Sequence, residues 1–144
     1  MRSAVLAVAL ACVSGCGASA LQQHGGGVAI TMLALRGVND AADAEREATE
    51  HACADEPCVR AVIEARRPVV AALAVTRTAV LAWRDAVQIA LDADTQAPDV
   101  VQALIFAAAR VLERWRDLAS ALAVVGITVP TLPPSVAAFA AEVQ

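Results

Sequence analysis

The side chains in this chain best suited to chemistry are four cysteines, Cys12, Cys16, Cys53 and Cys58, and two histidines, His24 and His51. Cys53 and Cys58 flank the tetrapeptide Ala-Asp-Glu-Pro, with Glu50 and His51 just upstream. Three chemistries compete for this cluster. A disulfide needs only two sulfurs in an oxidising compartment. A metal site would draw on His51, Cys53 and Cys58, with Glu50 or His24 as a fourth ligand, but the spacing matches no familiar zinc pattern. A redox-active dithiol is the third, although Cys-x4-Cys lacks the two-residue spacing of the familiar motif and no alternating strand pattern surrounds it. The choice depends on the compartment, and therefore on the N-terminus.

Other motifs fail on their own requirements. His24-Gly25-Gly26-Gly27 has the letters of an oxyanion-hole loop, which serves only beside a nucleophile elbow G-x-S-x-G, and the chain contains none. Asp92-x-Asp94-x-Gln96 has the outline of a calcium loop, yet Ala97 stands where Gly is needed, Pro98 follows, and Ala103 stands where a bidentate Glu is needed. No phosphate-binding loop, dinucleotide fingerprint or H-E-x-x-H occurs. Two histidines leave few candidates for an acid–base pair. The expectation is therefore a protein that is not an enzyme, with no catalytic residue, resident metal or cofactor. All eleven basic residues are Arg, and a formal net charge of −4 gives no electrostatic basis for binding nucleic acid or an anionic lipid surface.

The N-terminus reads MRSAVLAVALACVSGC, with one positive charge at Arg2, an apolar run from Ala4 to Val13, and then small residues. These are the parts of a secretory signal peptide. A run of about ten apolar residues is too short for a hydrocarbon core that needs roughly 20. Val13-Ser14-Gly15-Cys16 resembles the lipobox of bacterial lipoproteins, in which a branched apolar residue and two small ones precede a cysteine that is acylated and becomes the new N-terminus. The resemblance covers the leader alone and identifies no family for the remainder. It implies removal of residues 1–15, lipidation (palmitate-type acylation) of Cys16, and attachment to a membrane of the bacterial cell envelope, facing the periplasm or exterior. Gly17, where Asp would retain a lipoprotein at the inner membrane, favours the outer membrane in a cell that has one. Several acyl chains anchor firmly where one anchors marginally. The alternatives are an ordinary signal peptide cut near Ala18 or Ala20, or a buried N-terminal helix. With Cys12 lost and Cys16 acylated, Cys53 and Cys58 remain as an even pair in an exported chain, which points to a disulfide. Its short loop places the stabilisation toward the low end of the usual range of about 0–5 kcal/mol.

The remaining chain must position these groups. It is 58% hydrophobic but only 3% aromatic, dominated by Ala and Val, and it has no Tyr. Ala is the best helix former and a poor strand former, so the composition predicts an all-α fold. Residues 16–27, polar and Gly-rich, read as a flexible tether, and residues 28–144 as a single helical-bundle domain. A first helix is expected from about Val28 to Cys53, with Gly37, Asn39 and Asp40 as points of interruption. A second is expected from about Pro57 to Ala93. Its seam comprises Val59, Val62, Val69, Leu73, Val80, Trp83, Val87 and Ala90, with Arg66 and Thr76 at the remaining seam positions and a kink at Pro68. A third helix, from about Asp99 to Val125, carries the coiled-coil-like repeat Val101, Leu104, Ala108, Val111, Trp115, Leu118, Leu122, Val125 and stops at Gly126. Ser135 should cap a short final helix reaching about Val143. Short turns require the long helices to run up, down and up, setting Glu45 beside Arg66 and Glu50 beside Arg60. Trp83-Arg84-Asp85 and Trp115-Arg116-Asp117 suggest a shared need for a seam Trp with charges at its edge.

Function follows by elimination. The first reading is a lipid-anchored, non-enzymatic helical module of the bacterial or phage-related cell envelope, structural or protein-interacting, that contacts another envelope protein or the wall and exposes an apolar strip including Leu35, Ile105 or Phe106. The alternatives are a carrier of a small apolar ligand such as a lipid, marked by a cavity of several hundred Å³, and a metal or redox protein using Cys53 and Cys58.

Overall fold

The computed structural model describes residues 20–93 and 97–141. The leader, Cys16 and the first residues of the expected tether lie outside them. Among the described residues every regular element is helical: α1 (Ala20–His51), α2 (Glu56–Asp92), α3 (Pro98–Val124) and the short α4 (Pro134–Ala141). Together they form a helical bundle in which α2 is central. α1 and α3 each pack along α2 and touch each other little, while α4 packs on α3 and reaches α1.

α1 begins eight residues before the expected start, so residues 20–27 are helix rather than tether. The composition was misleading because a Gly run costs helix stability in isolation, whereas here it lets two helices approach closely. A Cβ on Gly27 would lie 2.8 Å from the Trp83 ring and 3.1 Å from the Phe139 ring. The helix also runs uninterrupted through Gly37, Asn39 and Asp40; the Asn39 amide donates to Asp43 one turn on, at 3.1 Å.

The boundaries of α2 follow from its ends. Asp55 is the N-cap, its carboxylate accepting the Cys58 N–H at 2.9 Å, and Pro57 occupies the first turn, where its missing N–H is not needed. The helix passes through Pro68, which is exposed. Of the expected seam, Val69, Val80, Trp83, Val87 and Ala90 are buried, together with Arg66 and Thr76. In α3 the expected repeat is buried from Leu104 through Leu122 and is joined by Ile105. α3 ends as expected at Gly126, whose φ of +77° suits glycine. The Gly126 N–H bonds to Ala123 O and the Ile127 N–H to Leu122 O, satisfying the last carbonyls in a Schellman arrangement.

Residues 127–133 then turn back along the bundle, with Ile127, Val129 and Leu132 packed against the core. The Trp115 indole N–H fastens this segment through Pro130 O at 3.1 Å. α4 starts at Pro134, so Ser135 lies inside its first turn rather than before it, and Pro133 O accepts the N–H groups of Val136 and Ala137. Val136 is fully buried.

The two interior glycine contexts give opposite expectations. Gly27→Ala should destabilise the fold by about 1–3 kcal/mol through overpacking against the Trp83 and Phe139 rings. Gly37→Ala, with nothing within 4 Å of its added methyl, should stabilise it by about 1 kcal/mol. Urea unfolding of the two variants, followed by helical circular dichroism, checks both.

Candidate functional site

Of the predicted site residues, Cys53 and Cys58 come together. They sit at disulfide distance across the α1–α2 corner, with Cα atoms 5.5 Å apart. Cys53 is half-buried and Cys58 exposed. Joined to each other, their sulfurs are not thiolate ligands, and among the described residues no three His, Cys, Asp or Glu side chains cluster to hold a metal ion. His51 stays exposed on the last turn of α1. Cys16 lies outside the described residues. No described helix is long and apolar enough to cross a membrane.

His24 is buried at the opposite end of the α1–α2 pair. Its Nδ1 accepts the Trp83 indole N–H at 3.2 Å, which requires a neutral ring with the proton on Nε2. The Phe139 ring of α4 stacks on the imidazole, centroids 4.3 Å apart, and meets Trp83 edge-on. Three helices therefore close on one aromatic cluster, and His24 has a packing role there.

Contacts across the pair step in opposite directions along the two helices: Cys53 with Cys58, Ala42 and Glu45 with Arg66, and His24 with Trp83. The expected Glu45–Arg66 ion pair is present. Arg66 is buried, its guanidinium donating to Ala42 O at 3.3 Å and facing the buried Oε2 of Glu45, whose other oxygen accepts from Thr49 at 2.7 Å. The expected Glu50–Arg60 pair does not form. Each finds a partner four residues away on its own helix, Glu50 with Arg46 and Arg60 with Glu56, because i,i+4 neighbours meet without any tertiary constraint.

Between the aromatic end and the Arg66 end, α1 and α2 enclose a groove of about 760 Å³, open along one side. Its floor includes the core residues Leu35 and Val80, and its walls carry Met32 and Leu33 from α1 and Val70 and Leu73 from α2. Leu33 and Val70 are 65% and 64% exposed, which leaves this apolar surface uncovered by the rest of the bundle. Arg36 and Arg77 line the same groove from opposite walls, and Asn39 and Asp43 lie toward its Arg66 end.

The exposed apolar strip expected from sequence is thus located elsewhere. Leu35 and Ile105 are core, and of the three residues named for it Phe106 alone is exposed. The groove has a sequence signal nonetheless: Val70, Ala74, Arg77 and Leu81 recur at steps of four, three and four, a second stripe beside the seam of α2. The wider seam with Trp83 dominates the pattern and masks it.

No protein-family model, curated protein or solved structure matches this chain.

The Glu45–Arg66 pair gives a stability test. Glu45→Gln should cost roughly 2–3 kcal/mol, because Arg66 keeps a buried charge; this is below the full range for buried pairs since 34% of the Glu45 side chain remains in water. Replacing both partners, Arg66→Met with Glu45→Leu, should recover most of the loss. Chemical denaturation of the single and double variants checks it, and a double variant as unstable as the single one would remove the pair from the account.

Proposed function

We propose that this chain is a lipid-anchored, non-enzymatic protein of the bacterial cell envelope, an up-down-up bundle held to a membrane through Cys16 and presenting its α1–α2 face to an envelope partner. The lipobox-like Val13-Ser14-Gly15-Cys16 supports the anchor. The Cys53–Cys58 pair at the helix corner supports an oxidising, extracytoplasmic setting. The observation that carries the contact role is the apolar groove, where Met32, Leu33 and Val70 remain exposed on two packed helices. A contiguous apolar patch bordered by polar groups is how a folded protein meets a partner.

The groove also favours a second reading, a carrier for a small apolar ligand. Its volume of about 760 Å³ falls within the range of roughly 300–1,000 Å³ usual for small-molecule sites. The Ala-rich α1 and α2 leave it open on this side. The two readings share one surface and one anchor.

Intact-mass measurement of the protein expressed with its own leader in a bacterial host, comparing membrane and soluble fractions, tests the anchor. The expected species is membrane-bound, begins at Cys16, carries diacylglyceryl and acyl groups, and is two hydrogens lighter than its reduced form. A soluble, full-length, fully reduced chain would overturn both the anchor and the oxidising compartment.

A further inference from the structure

Seven arginines lie on α1 and α2: Arg36, Arg46, Arg60, Arg66, Arg67, Arg77 and Arg84. Five of them have a carboxylate partner within ion-pair distance. The two without one among the described residues, Arg36 and Arg77, are the two that line the groove. In a chain whose acids outnumber its arginines fifteen to eleven, this leaves two positive charges without a carboxylate partner beside the exposed Met32, Leu33 and Val70.

We propose that the groove binds a single-chain fatty acid, its carboxylate held by Arg36 and Arg77 and its tail lying along Met32, Leu33 and Leu81. This rests on the apolar-ligand reading of the groove and is independent of the state of Cys16. The lining fixes the direction of the ligand. Asp43 repels an anion from the Arg66 end, so the carboxylate sits at the arginines and the tail runs toward Ala29 and Leu81, near the His24–Trp83 contact. From Arg36 to Ala29 the α1 wall is about 10 Å long at 1.5 Å per residue, so the groove takes the part of the acyl chain nearest the carboxylate. Guanidinium groups suit the head because each presents planar paired donors that match a carboxylate. A second copy of this chain fits poorly: a two-fold contact on this face would bring four arginines together against two Asp43 carboxylates.

The test uses the purified full-length protein, stripped of co-purifying lipid on a hydrophobic resin, and follows the fluorescence of cis-parinarate and of its methyl ester. The expected result is one saturable site for the acid, weaker binding of the ester, and a loss of about tenfold in affinity with either Arg36→Gln or Arg77→Gln. Both arginines are exposed, so the variants should keep the parent's helical signal and melting temperature, which are measured alongside. Leu33→Asp, which places an anion in the path of the tail, should abolish binding. Equal affinities for acid and ester, unchanged by either arginine variant, would overturn the carboxylate assignment while leaving an apolar-ligand site. Binding of neither probe would overturn the ligand reading itself, and a concentration-dependent dimer broken by Leu33→Asp would then assign the groove to a second copy.

Discussion

Trp83 is the contact on which the arrangement of this bundle depends. Its side chain is wholly buried on the central helix, its indole N–H is given to His24 of α1, and its ring lies against Gly27 of α1 and Phe139 of α4. A large apolar ring with a single polar donor demands both close packing and one acceptor, and the imidazole supplies the acceptor in one tautomer. The glycine supplies the space. The position of α1 along α2 follows from this meeting, and the disulfide-distance corner at Cys53 and Cys58 closes the other end of the same helix pair. Trp115 does related work on α3, giving its N–H to Pro130 O and thereby fastening the extended segment that carries α4 back over the core.

The polar groups of the interior act in the same direction. Thr31 bonds to Gly27 O within α1, the Thr76 hydroxyl lies between Ala72 O of its own helix and Arg114 O of α3, and Arg66 reaches Ala42 O and Glu45 on α1. Each would be costly if left unpaired in an apolar seam. Ala and Val side chains offer little shape to distinguish one sliding position of two helices from another. Cross-helix bonds at Arg66, Thr76 and Trp83 supply that distinction, since a shift of one turn would leave all three without partners.

The groove is a consequence of this layout. α3 and the returning segment occupy one side of α2, and α4 bridges from α3 to α1 on that same aromatic cluster. Among the described residues no further helix covers the opposite side of the α1–α2 pair, and Met32, Leu33 and Val70 stay at the surface beside Arg36 and Arg77. The net negative charge of the chain hides this local positive character, because the other five arginines of α1 and α2 each meet a carboxylate.

Much of the fold was legible in the sequence because helix formation is a local property. The 3,4 repeat of α3, the start of α2 near Pro57, the Gly126 stop, and the placement of Arg66 and Thr76 in the α2 seam all follow from the spacing of side chains along one helix. So does the Glu45–Arg66 pair, once short turns fold α1 back on α2. The sequence alone misread His24-Gly25-Gly26-Gly27 as tether and Leu35 and Ile105 as surface, and gave no sign that Arg36 and Arg77 share a groove. Those features depend on what stands opposite a residue on another helix. A glycine becomes helical when a tryptophan needs its missing side chain, and an arginine stays unpaired when the neighbouring helix brings apolar groups rather than a carboxylate; neither partner is encoded within reach along the chain.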